Sequence, residues 1–447
     1  VDNILRFLMI NIYNIANIVF YVLLGISFIL LLPRIVMCFM GCGKAKQFKD
    51  AKKEHKYAIL VPARNESKVI RQILDSIKNQ TYNKDKLETF VIVESLDDPT
   101  CEICKEYENV QVFCRQHLEN KGKGYALDEC FSYILNNQKG MKEEDKFEAF
   151  FIMDADNVMA KDYIYEMNKV FDAGFDVGTG YRANKNFNDS WVSACSGLYF
   201  NFLSTFKNKP KAKLGLGVQV TGTGFYVSRK IIEQLDGWKF NTLTEDYEFS
   251  LCTVLHNYSS SYNEKAVFYD EQPSSLKVSW KQRVRWCKGF MQANKIFRKP
   301  LLKKRIDTSG KRKFDLIENG TSLAPLVFSL VSVALYAVVN LVLFIISVIT
   351  HNPLWYYPFA SFIGVLVGFY LLMVLYTAFI ILVERKRLGA KPLNSFVACF
   401  ANPWFMILYA PIYFQALFTK NVEWTPIAHT SIIDVEAIGE EEKQVKI

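Results

Sequence analysis

Two carboxylates follow one buried strand of the sequence at a spacing that suits metal binding. The apolar run 150–153 predicts an interior strand of a parallel sheet, and Asp154 and Asp156 come directly after it. Alternate side chains of an extended chain share a face, so both carboxylates can point the same way. Such close like charges favour a cation between them, and Mg²⁺ commonly takes one or two carboxylates together with substrate phosphate oxygens. The alternative is an exposed turn with two solvated aspartates.

A second acidic group and a basic helix lie farther along the chain. In the run Thr244-Glu245-Asp246, the threonine could simply cap a helix whose first turn carries the two acids. Residues 279–298 predict a basic amphipathic helix of the kind that lies on a membrane surface. Residues 189–206 predict an aromatic-rich helix that lies either at such an interface or in the core.

The elements that must position these residues read as alternating strands and helices. Short apolar runs at 57–62, 90–93 and 110–113 predict three further strands, with helical patterns between and after them. This alternation predicts βαβ units and a mostly parallel sheet, whose carboxyl edge is where such folds bind ligands. Gly222 and Gly224 interrupt another apolar run, where they either let the backbone approach a ligand or mark a bulge.

The remaining apolar residues are gathered into segments of membrane length. Residues 11–32 can span a bilayer, and the basic stretch after them places the following residues in the cytoplasm and the amino terminus outside. Residues 321–350 and 354–383 predict two more spans, and 395–418, which two prolines interrupt, either crosses or re-enters. The predicted organisation is a transmembrane helix (1–42), a cytoplasmic domain (43–299), a linker (300–320), two or three transmembrane helices (321–418) and a polar tail (419–447).

Composition limits the compartment and the partners. The formal net charge of +9 fits anionic lipid headgroups or a phosphate-bearing substrate, and it is too weak and scattered to indicate a nucleic-acid partner. The ten cysteines include Cys101 and Cys104, which have half of a zinc-type spacing without a second pair nearby. We therefore predict reduced, packed thiols in a reducing compartment.

Three motifs, in this order, resemble those of membrane-integrated family 2 glycosyltransferases, specifically the processive synthases of cellulose, hyaluronan, chitin and poly-N-acetylglucosamine. The family's D-x-D is matched by 154–156, its T-E-D by 244–246, and its Q-x-x-R-W by Gln282-Arg283-Val284-Arg285-Trp286. The resemblance covers roughly residues 56–299. It implies an α/β domain of the GT-A fold inserted between transmembrane helices, with amphipathic interface helices near 190–206 and 279–298. It also implies a nucleotide-sugar donor, a divalent metal and inversion at the anomeric carbon.

On the donor side, the resemblance assigns roles to carboxylates and cations. Asp156 is expected to hold Mg²⁺ or Mn²⁺, assisted by Asp154 acting on the metal or the nucleotide. Arg285 is expected to face the diphosphate, because a guanidinium fork suits phosphate oxygens. Gln282 is a further candidate beside the nucleotide sugar. Lys121 or Lys123 could also reach the nucleotide or diphosphate, and for each lysine the alternative is a solvated side chain.

One position departs from the family's pattern. The family usually has an aspartate at the end of the second strand, where it contacts the uracil. This chain has Glu94 there, with Asp97 and Asp98 just beyond. Glu94 is the best positional match, and which of the three carboxylates contacts the base stays open.

On the acceptor side, the resemblance makes Asp246 the general base that takes the proton of the attacking hydroxyl. Glu245 and Thr244 would support it, since a single displacement needs only one base. Trp286 offers a flat apolar face for the terminal sugar of the acceptor, and its alternative is burial against the interface helix. Three residues are expected to border the acceptor: Gly222, Thr223 and Gly224.

These expectations predict a processive synthase that moves a sugar, with UDP-glucose the favoured donor, to the non-reducing end of a growing β-glucan and exports it through its membrane helices. The alternatives are a UDP-N-acetylglucosamine-using synthase and a non-processive enzyme that glycosylates a membrane lipid. A transporter or receptor with a degenerate domain is disfavoured, because all three motifs are present. The expected partners are the UDP-sugar, the polysaccharide and the bilayer, with a multi-pass location in the plasma membrane. Linkage and oligomeric state stay open.

Overall fold

The computed structural model describes residues 2–420, with side chains from residue 6 onward, so residues 421–447 of the predicted polar tail lie outside the described residues. Within that range the chain forms eight strands and fifteen α-helices. The strands are β1 (Tyr57–Pro62), β2 (Leu87–Val93), β3 (Val110–Cys114), β4 (Ala149–Ile152), β5 (Val158–Met159), β6 (Val177–Asn184), β7 (Phe225–Ser228) and β8 (Ser260–Asp270). The helices are α1 (Asp2–Gly41), α2 (Ile70–Lys78), α3 (Thr100–Cys104), α4 (Lys123–Asn137), α5 (Tyr163–Asp172), α6 (Trp191–Phe202), α7 (Lys209–Leu214), α8 (Arg229–Gln234), α9 (Glu245–His256), α10 (Leu276–Lys304), α11 (Gly310–Thr321), α12 (Ala324–Ile349), α13 (Tyr356–Glu384), α14 (Pro392–Ile407) and α15 (Tyr409–Phe418).

One mixed sheet carries the acidic residues. Its order is β3-β2-β1-β4-β7-β6-β8-β5, and β3, β2, β1 and β4 run parallel to one another. Strand β7 runs antiparallel to β4 and β6, β8 runs parallel to β6, and β5 runs antiparallel to β8. The prediction of a mostly parallel sheet therefore holds only for the first half of the sheet. After α6 and α7 the chain enters β7 in the opposite direction to β4. As a result, the end of β4 at Ile152 lies beside the start of β7 at Phe225.

Two apolar layers enclose the sheet. Along β1 the side chains alternate, so that Ala58 and Leu60 join one layer while Ile59 and Val61 join the other. The first layer packs against α4, α8, α9 and α10, and the second against α2, α3 and α5. Burial on both faces explains why the strand is a continuous apolar run. All ten cysteines are free, and Cys101 is buried in the second layer.

Four apolar segments of the described chain are long enough to cross a membrane, namely α1 from Arg6, α12, α13, and α14 together with α15. Helix α1 packs on α12, and α12 packs on α13. Between the first two, the rings of Phe20 and Tyr336 stack with centroids 3.9 Å apart, and the Tyr336 hydroxyl donates to Asn17 Oδ1 at 2.5 Å. These segments indicate that the chain is associated with a membrane.

The structure differs from the predicted bounds in two places. Residues 300–320, predicted as a linker, are mostly helical, since α10 continues to Lys304 and α11 follows. The apolar residues of α11 explain this difference, because Leu316 is buried and Gly320 approaches Leu302 closely. The two predicted interface helices are α6, which a π-helical turn at 203–208 extends, and α10, which is longer at both ends than predicted.

Candidate active site

Three carboxylates meet at one edge of the sheet. Asp154 and Asp156 follow β4, Asp270 ends β8, and one oxygen from each lies within 4.8 Å of the others. Asp156 and Asp270 are buried, whereas Asp154 is half-buried. Carboxylate oxygens are the ligands that Mg²⁺ and Mn²⁺ prefer, so this donor set fits a divalent cation. Asp270 belongs to the cluster although it was absent from the predicted residues.

Arg182 fixes the position of Asp270. Its guanidinium donates to Asp270 Oδ2 from Nη2 at 2.6 Å and from Nε at 3.1 Å. It also donates from Nη1 to the carbonyl of Thr221 at 2.7 Å and lies 3.6 Å from the centre of the Phe200 ring. The sequence contained a signal for Asp270, because an apolar run ends in this acid just as another ends in Asp154. No comparable signal marked Arg182.

A second cation lies beside the acid cluster on its backbone side. Lys185 donates from Nζ to the backbone carbonyl of Asp156 and, at 3.1 Å, to Gln72 Oε1. Burial lowers the pKa of Lys185, and the nearby carboxylates Asp156 and Asp270 partly oppose that shift. The backbone of the turn that carries Asp156 is therefore held by Lys185.

The turn that carries Asp154 is fixed by Thr223. The Asp154 backbone N–H donates to Thr223 Oγ1 at 2.8 Å and to Asn157 Oδ1 at 3.2 Å. The Thr223 hydroxyl in turn donates to Asn157 Oδ1. Thr223 is fully buried, so it supports the acidic turn instead of bordering the acceptor as predicted.

The two glycines beside Thr223 have different surroundings. A Cβ atom at Gly224 would lie 2.0 Å from the Phe268 ring, so this glycine allows close packing inside the domain and does not border an acceptor as predicted. A Cβ atom at Gly222 would lie 3.6 Å from Asp246 Oδ2. Of the three predicted acceptor residues, Gly222 is therefore the one that lies beside the T-E-D carboxylates.

Lys123 connects the two acidic motifs. Its Nζ donates to the Asp154 carboxylate and, at 2.8 Å, to the carbonyl of Gly222. Burial disfavours the charged form of Lys123, but the surrounding carboxylates outweigh that cost and raise its pKa. Lys121 is exposed. The structure therefore separates the two lysines that the sequence left as alternatives and places Lys123 in the acidic cleft.

The T-E-D residues begin α9. Glu245 and Asp246 lie in its first turn, while the Thr244 side chain makes no capping hydrogen bond. Burial raises the pKa of both carboxyl groups, and the cations Lys123 and Arg285 partly oppose that shift. A carboxyl group whose pKa moves toward neutrality is better matched to proton transfer at physiological pH.

Helix α10 packs directly on the T-E-D turn. A Cβ atom at Gly289 would lie 2.6 Å from both the backbone nitrogen and Oγ1 of Thr244. Nearby, Arg285 donates from Nη1 to the carbonyl of Leu243 at 3.2 Å. The helix that carries Q-x-x-R-W and the turn that carries T-E-D are thus in contact, although 35 residues separate Asp246 from Gln282.

Trp286 lies on an aromatic surface formed by α6. Its ring stacks on Tyr199 with centroids 6.4 Å apart and meets the edge of Phe200 at 5.8 Å. Phe200 is the ring that Arg182 covers. Burial, with a smaller effect from the Asp246 carboxylate, raises the pKa of Tyr199 to about 12. Trp286 is half-buried and Gln282, one turn earlier, is also half-buried, so neither is enclosed in the core.

Comparison with known proteins decides the family. The family model described as "Glycosyltransferase like family 2" matches residues 55–289, just over half of the chain. The chain belongs to glycosyltransferase family 2. "Probable glycosyltransferase YdaM" of Bacillus subtilis (strain 168) is 27% identical over 294 residues, which cover 61% of this chain and 66% of that protein.

Two further relatives of this glycosyltransferase are named for different activities. A beta-monoglucosyldiacylglycerol synthase of Trichormus variabilis is 24% identical over 58% of this chain and 54% of that protein. A poly-beta-1,6-N-acetyl-D-glucosamine synthase of Staphylococcus epidermidis is 25% identical over 52% of this chain and 54% of that protein. The chain thus spans about half to two thirds of the length of these relatives.

A solved structure confirms the fold class of this glycosyltransferase. The mannosyltransferase PcManGT from Pyrobaculum calidifontis, in complex with GDP-Man and Mn²⁺, superposes with a TM-score of 0.54 at 17% identity. The match covers 80% of this chain and 98% of that chain. The predicted GT-A domain, with helices that can span a membrane beside it, is therefore confirmed.

The end of β2 in this glycosyltransferase holds the carboxylates left open by the sequence. Asp98 is buried and accepts hydrogen bonds from backbone N–H groups, including that of Asn65 at 2.7 Å. Asp97 is exposed and bonds locally. Glu94 is half-buried and pairs with Arg64 Nε at 2.9 Å. Glu94 also lies 3.7 Å from Arg115 Nη1, so both Glu94 and Asp98 already have partners inside the domain. The assignment of the base contact to Glu94 stays a prediction.

Proposed function

We propose that this family 2 glycosyltransferase moves a sugar from a nucleotide-sugar donor to an acceptor hydroxyl, with inversion at the anomeric carbon. The observation that carries the proposal is a continuous set of contacts between the acid cluster, the T-E-D turn and the aromatic surface. Lys123 joins the acid cluster to the T-E-D turn, and Arg182 joins the acid cluster to the aromatic surface under Trp286. A metal-compatible acid cluster, a candidate base and a sugar platform thus occupy one site, as such a transfer requires.

On the donor side, the reaction needs positive charge where the diphosphate leaves. Asp154, Asp156 and Asp270 would hold Mg²⁺ or Mn²⁺, and such an ion, when bound, neutralises the developing negative charge. Arg285 would contribute a guanidinium beside the same group. Glu94 would contact the base, since the parallel strands β2, β1 and β4 are adjacent and set its strand end about 10 Å from Asp154.

On the acceptor side, Asp246 would take the proton of the attacking hydroxyl. Its raised pKa favours accepting a proton, and Lys123 limits the rise so that the group still ionises. Glu245, beside it, also has a raised pKa because of burial and the Asp246 charge, and it would support the base instead of replacing it. Trp286 would hold the acceptor sugar against its exposed face, because flat apolar rings stack on the apolar face of a sugar.

The first candidate product is a β-glucan polymer made processively from UDP-glucose, with the catalytic domain in the cytoplasm and the chain embedded in the plasma membrane. The Q-x-x-R-W motif supports it, as does the poly-beta-1,6-N-acetyl-D-glucosamine synthase relative, which equally supports UDP-N-acetylglucosamine as the donor. In this candidate the membrane helices would export the polymer.

The second candidate is a single transfer to a membrane lipid. The relative named beta-monoglucosyldiacylglycerol synthase supports it. The interface of α1 and α12 supports it too, because Phe20 and Tyr336 fill that interface with rings whose centroids are 3.9 Å apart. At the level of these two rings, no room is left for a sugar chain between the two helices.

One experiment tests both candidates. The full chain, purified and reconstituted in vesicles, is incubated with UDP-glucose or UDP-N-acetylglucosamine and with Mg²⁺ or Mn²⁺, with and without diacylglycerol. Long polymer without added lipid supports the first candidate, and one sugar on the lipid supports the second. Absence of UDP release with both donors and both metals would refute transfer from UDP-glucose and UDP-N-acetylglucosamine, and with it both candidates.

Two variants test the assigned roles. Asp246→Asn is expected to abolish transfer while leaving UDP binding intact, because it removes only the base; full turnover would remove Asp246 from that role. Asp156→Ala is expected to lose the metal-dependent part of UDP binding, measured by titration calorimetry with and without Mn²⁺. Undiminished metal-dependent affinity would contradict its assignment.

A further inference from the structure

A group of charged side chains lies between the catalytic domain and the first membrane helix, outside the carboxylate site described above. Here called the interface cluster, it consists of Arg34 in α1, Lys207 in the π-helical turn 203–208, Lys211 in α7, and Arg312, Asp315 and Glu318 in α11. Four cations face two carboxylates, so the cluster has an excess of two positive charges. Like charges that lie close together repel unless an anion lies among them.

Two of the four cations use both carboxylates of the interface cluster. Lys211 is fully buried, and its Nζ lies 2.6 Å from Glu318 Oε2 and 4.0 Å from Asp315 Oδ1. Asp315 Oδ2 lies 3.9 Å from Arg312 Nη1. Buried charges require such partners. Within residues 6–420, these contacts leave the other two cations of the cluster without a carboxylate of their own.

Lys207 is one of these two cations. Its Nζ donates to Gln219 Oε1 at 2.7 Å, and the part of the chain that the structure describes offers the ammonium group no other hydrogen bond. Burial lowers the pKa of Lys207 to about 8, with Lys211 and Arg34 adding to that shift and the carboxylates of the cluster opposing it. The charged form of Lys207 is thus disfavoured in its surroundings, and an anion bound beside it would stabilise that form.

Arg34 is the other cation, and it lies at the membrane surface. It is the first charged residue after the apolar run 11–32, and its Nη2 donates to the carbonyl of Ser322, two residues before α12 begins. The large side chains around it on α1 are apolar and exposed, namely Leu32, Val36 and Phe39. Exposed apolar side chains of a membrane helix contact acyl chains, so the guanidinium of Arg34 lies at the level of lipid headgroups.

Packing of α1 on the π-helical turn brings the two cations together. A Cβ atom at Gly41 would lie 2.5 Å from the backbone carbonyl of Thr205, two residues before Lys207. The influence of Arg34 on the pKa of Lys207 is a further sign that the two side chains are close. Insertions of π-helical turns in helices are rare and are often found at functional sites.

We propose that Lys207 and Arg34 form a binding site for the phosphate group of an anionic membrane phospholipid whose acyl chains lie against the exposed apolar face of α1. A phosphodiester supplies the missing negative charge and several acceptor oxygens, and both side chains are strong donors to phosphate. Basic pockets beside transmembrane helices bind lipid headgroups in this way.

The proposed lipid site is next to the T-E-D turn. Ser322, whose carbonyl accepts from Arg34, also makes a 3.0 Å hydrogen bond through its hydroxyl with the hydroxyl of Tyr247. Tyr247 directly follows Asp246 in α9. Lipid binding at this site does not require sugar transfer, and under the proposed function it places a phospholipid headgroup beside the turn that carries the candidate base.

Direct titration of the full chain in a nonionic detergent tests the site. The calorimetric probes are short-chain phosphatidylglycerol, inorganic phosphate and the diacylglycerol of the same chain length. Inorganic phosphate is expected to bind at least about 10-fold more weakly than phosphatidylglycerol, because burial of the acyl chains adds to the affinity. Equal affinity for these two probes would identify a site for free phosphate, and no binding of phosphatidylglycerol would remove the site; either result overturns the inference.

Variants locate the binding. Lys207→Gln removes the charge but keeps a polar side chain, and it is expected to weaken phosphatidylglycerol binding by about 10-fold or more through loss of a charge-assisted hydrogen bond. Binding of diacylglycerol should not change. Lys213→Gln is the matched control, because it removes the same charge from an exposed position of α7, and it should change the affinity by less than about 2-fold. Thermal unfolding confirms that each variant is folded. Equal effects of Lys207→Gln and Lys213→Gln would overturn the inference.

The pH dependence of binding separates a direct contact from a structural role. With a pKa of about 8, Lys207 loses most of its charge between pH 7 and pH 9, so phosphatidylglycerol affinity should fall by up to about 10-fold over that range. Lys207→Arg should bind without this loss, because a guanidinium stays charged. The same loss in Lys207→Arg would overturn the assignment of Lys207. All of these measurements are made without a sugar donor, so failure of the proposed function would leave their results standing.

Discussion

One methyl group at Gly289 is expected to separate the T-E-D turn from the Q-x-x-R-W helix. The added Cβ atom of Gly289→Ala would lie 2.6 Å from the Thr244 backbone nitrogen, and ordinary contact begins at 3.4 Å. The two helices must therefore move apart by 0.8 Å, the difference of those distances. The Thr244 nitrogen that the added Cβ atom would contact belongs to the backbone. A rotamer change of the Thr244 side chain therefore cannot relieve that contact.

The magnitude follows from that displacement. Overpacking of this kind costs about 1–3 kcal/mol of folding free energy, which the better helix propensity of alanine offsets by about 1 kcal/mol. The protein should therefore remain folded. A misplacement of about 1 Å in a catalytic group can cost about 100-fold in rate, so we expect kcat to fall about 10- to 100-fold. Metal-dependent UDP binding should change little, because the acid cluster lies on β4 and β8.

The assay measures UDP release under steady-state conditions, with thermal unfolding and UDP titration on the same preparation. Gly364→Ala in α13 is the matched control, because it is also a helical glycine and nothing lies within 4 Å of its added Cβ atom. A folded Gly289→Ala protein with normal kcat would refute the idea that contact between these two helices sets the geometry of the base.

Three further outcomes are expected. Lys123→Met should move the acidic limb of the kcat/KM profile to higher pH, since removing this cation raises the pKa of Asp246 further; Lys123→Arg should keep the limb in place, and an unmoved limb in the Met variant would contradict the assignment. Asp270→Asn should weaken Mn²⁺-dependent UDP binding at least about 10-fold, and unchanged affinity would exclude it as a ligand. Tyr247→Phe should lower the free energy of unfolding by about 0.5–1.5 kcal/mol through loss of the 3.0 Å bond to Ser322 Oγ. Ser322→Ala should then add little to Tyr247→Phe, and full additivity in a double-mutant cycle would show the two to be independent.

Local pattern was sufficient to predict the elements of the catalytic domain. The strands at 57–62 and 110–113 lie within a residue of their predicted bounds, because buried strands of a parallel sheet are short, continuous apolar runs. The motifs at 154–156 and 244–246 also lie where pattern placed them, one after a strand and one in the first turn of a helix. Hydrophobic periodicity did not predict α11 within the linker at 300–320, because charged residues lie among its few apolar ones.

Long-range pairing decided which members of each motif face the cleft. Sequence left Lys121 and Lys123 equivalent, yet only Lys123 contacts Asp154, because the orientation of α4 points it toward β4. Thr223 and Gly224 were predicted beside the acceptor, but the antiparallel pairing of β7 with β4 turns them into the domain. Arg182 and Asp270 come from strands far apart in sequence, and their pairing arises from the parallel register of β6 and β8.

The sequence by itself determined the family motifs, the strand-and-helix pattern and the apolar segments, because each is written in neighbouring residues. The tertiary structure decided which carboxylates share one site and how 392–418 packs against the catalytic domain. Both of those outcomes depend on contacts between residues more than 80 positions apart, such as Asn157 with Asp270 and Arg283 with Phe405. Local composition and spacing carry no information about such pairs, since the pairing is fixed only when the sheet register and the helix packing are formed.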